Sequence, residues 1–225
     1  MLLEMIEVFK GYGEAGTPSF RPVLRGISWK LEEGEQVGIV GPSGSGKTTL
    51  LNIAGGLDLP DSGMVRFKNR VLGLFSAVEM AHFRNRELGF VFQQHHLLPQ
   101  CTLFENVLLP VLPLKKRISD GDRIWAEHLL KKTGIWNVRN QKPGEMSGGE
   151  CQRAAVVRAL VNKPSMILAD EPTGALDESN AGMIGDLLVT ICKEEKITLV
   201  TVTHSANLAA KMNHVFHLRN GILIS

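Results

Sequence analysis

The sequence predicts an α/β fold, one domain with a modest second lobe, and three observations carry that expectation. Short runs of strand character alternate with helix-like stretches along most of the chain. One of those runs, Met166 to Ala169, is apolar throughout, as in a strand buried on both faces of a parallel sheet. Between Thr102 and Asn162 the pattern changes to helical spacing, as in Ile124, Leu129, Leu130 and then Val156, Val157, Leu160, which predicts a helical lobe.

Taken in order, Leu2 to Phe9, Val23 to Leu31 and Gln36 to Val40 read as strands separated by Gly and Pro clusters, with Glu33-Gly34 turning the chain into the third. Lys47 to Ala54 reads as a helix. Met64 to Val71 and Leu88 to Phe92 return to strand character. After the helical lobe and the Met166 run come a helix near Ala181 to Lys193, a strand at Ile197 to Thr203 and a helix at Ala206 to Met212. Asn220-Gly221 is a hairpin signal.

With 225 residues, 44% hydrophobic and 21% charged, the chain has enough material for a buried core. A net charge of +2 lacks the electrostatic footprint of a nucleic-acid binder, so no nucleic-acid partner is expected. The basic run Lys115, Lys116, Arg117 is short enough to be a solvated loop. Cys101, Cys151 and Cys192 are odd in number and form no CxxC pair, so free thiols are expected rather than disulfides or zinc. The N-terminus has Glu4 and Glu7 in its apolar stretch and no basic n-region, which argues against a signal peptide. The best candidate span, Val107 to Leu114, is interrupted by Pro110 and Pro113, so any membrane crossing falls to a partner.

Gly41-Pro42-Ser43-Gly44-Ser45-Gly46-Lys47-Thr48 matches G-x-x-x-x-G-K-[ST] between a strand and a helix, the context in which that pattern has mechanical meaning. The glycines let backbone N–H groups turn inward toward phosphate oxygens, and the following helix adds the positive end of its dipole. Lys47 is placed to reach the β- and γ-phosphates of ATP, and Thr48 to ligate Mg²⁺. Asp170 and Glu171 follow the apolar run, where groups beyond the carboxyl ends of parallel strands face the ligand crevice. Asp170 is the candidate for Mg²⁺; Glu171 is the candidate to polarise the attacking water. Pro172 and Gly174 argue against a helix starting directly there.

Ser147-Gly148-Gly149-Glu150 opens a helix running to about Val161. Ser147 and Glu150 fit a capping box. The two glycines cost roughly 1 kcal/mol each relative to alanine, and expose backbone N–H groups suited to a phosphate.

The P-loop, the SGG-type element before a helix and the strand ending in Asp-Glu, in that order, resemble the ABC ATPase family over nearly the whole chain. The resemblance implies a P-loop NTPase (RecA-like) core with an N-terminal antiparallel β subdomain, about 1–94 and 163–225, and an inserted α-helical subdomain, about 95–162. It implies that the signature Ser147, Gly148, Gly149 and Glu150 of one subunit closes over ATP held by the P-loop of another, so that a homodimer completes two sites. It places Thr49 beside the phosphates and makes Gln93, after Gly89 to Phe92, a residue that senses Mg²⁺ and the lobe interface. By the same resemblance His204 contacts the γ-phosphate, Asp177 of Gly174-Ala175-Leu176-Asp177 touches the partner, and Tyr12 stacks on adenine, with core packing as its competitor. His214 and His217, three apart on an expected strand, point to opposite faces and make no metal site.

Gly55-Gly56-Leu57-Asp58, His95-His96-Leu97-Leu98-Pro99, Glu150 in the signature and Arg158 to Asn162 resemble the lipoprotein-releasing LolD branch of that family. The implied partners are integral membrane subunits of the LolC/LolE kind, contacted near His95 and His96, and the implied location is the cytoplasmic face of the inner membrane. Met146, Gln94, Cys101 and Cys151 depart from the branch pattern, and relatives in macrolide export (MacB-like) and cell division (FtsE-like) share the same head. DNA-repair members carry coiled-coil or zinc insertions between P-loop and signature; the interval from Thr48 to Ser147 has neither.

Overall fold

The computed structural model describes residues 1–14, 16–114 and 117–224; Lys115 and Lys116 of the basic run lie outside them. In chain order the main elements are β1 (Leu3–Tyr12), β2 (Arg21–Leu31), β3 (Gln36–Val40), α1 (Lys47–Ala54), β4 (Ser62–Phe67), β5 (Arg70–Val71), α2 (Ala77–Glu87), β6 (Leu88–Phe92) and α3 (Leu103–Leu108). They continue with α4 (Asp120–Lys132), α5 (Gly148–Leu160), β7 (Met166–Asp170), α6 (Glu178–Glu194), β8 (Thr198–Val202), α7 (Ala206–Ala209), β9 (His214–Arg219) and β10 (Ile222–Ile224).

The strands form a four-stranded sheet of order β2-β1-β4-β5 and a six-stranded sheet of order β10-β9-β3-β8-β7-β6. The small sheet pairs antiparallel throughout. In the large sheet β9, β3, β8, β7 and β6 run parallel, and only β10 turns back. The two-residue period of a strand sends alternate side chains to opposite faces, and β7 shows the result. Met166 and Leu168 pack with α1, α2 and the small sheet, whereas Ile167 and Ala169 pack with α3 to α6. The large sheet is therefore covered on both sides, which is why its strands are apolar runs and not alternating ones.

The bounds of β3, α1 and β6 match expectation. Others differ, as β1 in running on to Tyr12 and β2 in starting at Arg21, and three differences have a local cause. Met64 to Val71 is two strands, because Lys68 and Asn69 turn with φ of 45° and 64° and reverse the chain into β5. The helix from Ala206 ends at Ala209, where i→i+3 bonds from Lys211 to Leu208 and Met212 to Ala209 tighten the chain. α2 has no counterpart in the sequence pattern: only Met80 and Phe83 of it are buried, too few to show a period. Within α4, Leu129 and Leu130 are buried with Ala126, but Ile124 is 67% exposed. It lies two residues from Ala126, on the far side of a 3.6-residue helix. Asn220 and Gly221 both have positive φ and close the β9–β10 hairpin as expected.

Helix starts are fixed by local chemistry. Ser76, Thr102, Ser119 and Ser147 each cap the following helix in a reciprocal capping box. The boxes starting α2, α3 and α5 share one signature. The cap residue's backbone N–H donates to the carboxylate of Glu79, Glu105 or Glu150 at 2.9, 2.8 and 2.8 Å, and holds that carboxyl below its ordinary 4.5. A carboxyl depressed by folding stabilises the native state above its unfolded pKa and loses that contribution as pH falls through the depressed value. Thermal melts followed by circular dichroism are therefore expected to drop in midpoint below about pH 4.5, and Gln at the three positions to flatten that part of the profile. An identical slope in the triple variant would contradict this origin.

Candidate functional site

The carboxyl ends of β3, β8 and β7 lie side by side, so the segments leaving these strands meet at one edge. Ser43, Gly44 and Gly46 to Thr49 after β3, Asp170 and Glu171 at β7, His204 after β8 and Gln93 after β6 line one cleft of about 570 Å³. Phe92, Gln94, His96 and Val23 complete its wall.

Gly46 is the N-cap of α1, with φ 102°, and an added Cβ there would stand 2.8 Å from Val23 Cγ1. Only glycine fits this turn without strain. No side chain caps α1 and its first turn carries no acidic residue, so its free N–H groups keep their positive end unsatisfied. Lys47 sits at that same end and is only 8% exposed. Its ammonium donates to the Gly41 and Pro42 carbonyls at 2.9 and 3.1 Å and lies 3.2 Å from His204 Nε2. A buried cation at the positive end of a helix is poorly placed unless an anion joins it. The Ser45 hydroxyl, in the adjoining loop, is buried without a partner. These features suit a polyphosphate.

Thr48 Oγ1 donates to Asp170 Oδ2 at 2.9 Å, which brings a hydroxyl and a carboxylate together on opposite walls. Among the described residues no three His, Cys, Asp or Glu side chains form a metal cage. A hard cation held here would draw its remaining oxygen ligands from phosphate and water.

Glu171 takes φ 45°, a conformation that costs a non-glycine residue about 1–2 kcal/mol. Three bonds hold it. Its N–H donates to the Val202 carbonyl at 2.9 Å, its carbonyl accepts from Gly174 at 3.0 Å, and Oε2 accepts from the His204 N–H at 3.0 Å. The other oxygen, Oε1, is buried with no hydrogen bond, 3.3 Å from His204 Nε2. The strained residue thus lines the cleft with one carboxylate oxygen buried beside His204 and left without a hydrogen bond.

The remaining candidate residues lie off this edge. Ser147 to Glu150 do not line the cleft; Ser147 accepts from Glu150 N–H at 3.3 Å and donates to its carboxylate at 2.8 Å. Gly148 is exposed, but Gly149 is buried, and a Cβ on it would stand 2.9 Å from Asn180 Oδ1. Gly149 is therefore a close-approach residue for α6, and only Gly148 is bare. Asp177 is the N-cap of α6, accepting from Asn180 N–H at 2.9 Å; that bond holds its carboxyl below the ordinary value. Tyr12 ends β1, 45% exposed, with its hydroxyl on Asp58 at 2.9 Å.

Two further residues position the site. Gln152, buried on α5, donates to the Phe92 carbonyl at 2.9 Å and the Pro172 carbonyl at 2.8 Å, clamping the segments that carry Gln93 and Glu171. Its only mark in the sequence is a polar residue on the apolar face of a helix. Arg158 donates to the His95 and His96 carbonyls at 2.7 and 2.6 Å. Burial, then the charge of Arg158, lowers the His95 pKa and favours the neutral ring whose Nδ1 accepts from Leu97 N–H at 3.1 Å.

A sequence profile of the family described as "ABC transporter" matches residues 24–174. The Lipoprotein-releasing system ATP-binding protein LolD 1 of Rhodopirellula baltica is 47% identical over 99% of this chain and 96% of its own length. LolD of Saccharophagus degradans is 43% identical over 99% and 96%, and LolD of Geobacter metallireducens 43% over 100% and 98%. Among solved structures, the dimeric bacterial ABC transporter cassette MJ0796 superimposes with a TM-score of 0.89 at 38% identity, covering 99% of this chain and 96% of that one. A dimeric post-hydrolysis state of the same cassette, bound to ADP and Pi, gives 0.88 at 37% identity over the same shares. The P-loop NTPase fold with its accessory β-sheet, expected from the motifs, is thus the fold of this chain.

Replacing Lys47 by Ala removes the ammonium seated at the helix start. Calorimetry should show ATP binding roughly 10- to 100-fold weaker, the worth of a charge-assisted hydrogen bond or two. Wild-type affinity in this variant would exclude the cradle as the phosphate site.

Proposed function

The chain belongs to the ABC transporter family and is an ATP-binding, ATP-hydrolysing protein, and on that premise we propose how its residues share the work. ATP lies with its phosphates in the cradle of Gly41 to Thr49, Lys47 moving from the Gly41 and Pro42 carbonyls to phosphate oxygens. Thr48 and Asp170, with Gln93, hold Mg²⁺. When bound, the ion polarises the phosphoryl oxygens and neutralises developing charge. Glu171 Oε1 takes the proton of the attacking water, and His204 faces the γ-phosphate. The observation that carries this reading is the strained Glu171, one carboxylate oxygen without a hydrogen bond, lining the same cleft as an uncapped helix start.

Among the described residues none of α5 lines this cleft, and Gly148 at the start of that helix is exposed. We propose that a second copy supplies Ser147 to Glu150 across the γ-phosphate, with Asp177 beside it, so that two chains enclose two nucleotides. Residues 1–94 and 163–225 then act as the nucleotide core and 95–162 as the lobe that carries the signature. Gln152 and Arg158 link that lobe to Gln93, His95 and His96, which gives hydrolysis a mechanical route to the groove between Arg84, Phe90 and Asn162.

Among the described residues no helix is long and apolar enough to cross a membrane. The relatives named for lipoprotein release cover this chain nearly end to end, which supports the same role here. We propose attachment at the cytoplasmic face of the inner membrane to LolC/LolE-like subunits, which occupy that groove.

Replacing Glu171 by Gln should stop turnover, leave ATP binding within a few-fold, and yield a species of two chains in ATP-containing size-exclusion runs. Full turnover by that variant would remove Glu171 from its role. Affinity purification from membranes, with mass spectrometry of bound integral subunits, tests the cargo: macrolide-exporter or cell-division subunits in their place would overturn lipoprotein release.

A further inference from the structure

One connected polar cluster lies outside the catalytic edge, and nothing in the hydrolytic scheme uses it. It joins the end of β1 to the loop after α1. Lys10 Nζ donates to Asp58 Oδ1 and to the Leu59 carbonyl, each at 2.8 Å, and stands 3.5 Å from Asp61 Oδ1. The Tyr12 hydroxyl donates to Asp58 Oδ2 at 2.9 Å, and the Gly11 N–H donates to Asp61 Oδ2 at 2.7 Å. Asp58 Oδ1 also accepts from Leu59 N–H at 2.8 Å. Both oxygens of Asp58 are thus occupied, one by Lys10 and its own loop, the other by Tyr12.

The Lys10 side chain is 12% exposed and that of Asp58 29%, so the pair gives up much of its hydration to be there. Half-buried ion pairs contribute little net stability, and what they supply best is a fixed geometry. Here the geometry fixed is that of an aromatic ring. Tyr12 is held at its hydroxyl end and is 45% exposed, with the Lys10 ammonium 5.4 Å from its centroid. An open ring whose orientation is set beforehand is a platform for a flat partner, because little rotamer freedom is lost on stacking.

The surroundings of the platform identify that partner. Tyr12 pairs with Arg21 across β1 and β2, and Arg21, Pro22 and Val23 form one wall of a cleft of about 530 Å³. Pro42 to Ser45 of the phosphate cradle line the same cleft, with Arg25, Asn220 and Gly221. The cradle lies at the start of α1, and Asp58 lies four residues beyond its end. A helix of eight residues rises ~12 Å, a length comparable to a nucleotide extended from triphosphate to base.

We propose that Asp58 is a positioning residue for the nucleobase: by holding the Tyr12 hydroxyl it sets the stacking ring at a fixed distance from the phosphate cradle, through α1 and its loop. This rests on the reading of Tyr12 as the base platform. The contribution of Asp58 therefore belongs to the part of affinity that depends on the base, and not to the phosphates.

Calorimetry of the full chain with Mg²⁺-ATP and with Mg²⁺-tripolyphosphate separates the two parts. Tyr12→Phe, which removes only the hydroxyl, and Asp58→Ala are each expected to weaken ATP roughly three- to tenfold, the net worth of one ordinary hydrogen bond. Tripolyphosphate affinity should stay within twofold in both, and the double variant should lose no more ATP affinity than Asp58→Ala alone. Equal weakening of both probes by Asp58→Ala would make it general support for the fold and overturn the proposal. Tyr12→Ala distinguishes the layers. An unchanged ratio of ATP to tripolyphosphate affinity in that variant would overturn the platform itself. A lowered ratio there, with Tyr12→Phe and Asp58→Ala at wild-type values, would overturn the positioning role alone.

Discussion

A buried ammonium at the positive end of an uncapped helix is the interaction on which the rest of this structure turns. Lys47 is folded back onto the carbonyls of its own loop, next to N–H groups that no side chain satisfies. Two positive ends share one small volume, and among the described residues no carboxylate forms an ion pair with Lys47. The parallel register of β3, β8 and β7 then determines what surrounds that volume. Because their carboxyl ends coincide, Thr48, Asp170, Glu171 and His204 arrive together although the chain separates them widely. Phosphate binding and hydrolysis are consequences of that convergence more than of any single residue.

On the proposed reading one chain holds half of a site, and the start of α5 is compatible with that. The start of α5 is internally satisfied by its capping box and presents Gly148 away from the cleft it would close. Gly149 packs closely against Asn180 of α6, beside the Asp177 cap, and so joins the starts of α5 and α6. Gln152 and Arg158 of α5 bond to the Phe92, His95 and His96 carbonyls, on either side of Gln93. On the proposed reading these bonds offer a change at the γ-phosphate a contiguous route to the groove assigned to the membrane subunit.

Much of this is legible in the sequence, and the reasons are physical. β3, α1 and β6 can be read to the residue because the turn chemistry of Gly41 to Gly46 and the apolar run before Gln93 leave few alternatives. Asp170 and Glu171 stand out in the sequence because two adjacent carboxylates at the end of a fully apolar strand are an odd structural choice. The hidden elements lack periodicity. α2 buries only Met80 and Phe83, and its one clear mark is Ser76 followed by Glu79, a capping box that outweighs its weak hydrophobic pattern. The turn at Lys68-Asn69 carries no glycine, so a hairpin looks like one strand. Gln152 resembles any polar residue of an amphipathic helix, and the Lys10–Asp58–Tyr12 cluster joins segments that only the fold brings together.

The claim most exposed to test is that catalysis needs the start of α5 from a second copy. The decisive measurement is ATP turnover per chain against protein concentration, for the wild type and for Gly148→Asp, which places a negative charge where phosphate should approach. Turnover per chain that rises with concentration in the wild type and vanishes in the variant is the expected result. A constant turnover per chain at every dilution, retained in Gly148→Asp, would show that one copy suffices and would contradict the shared site.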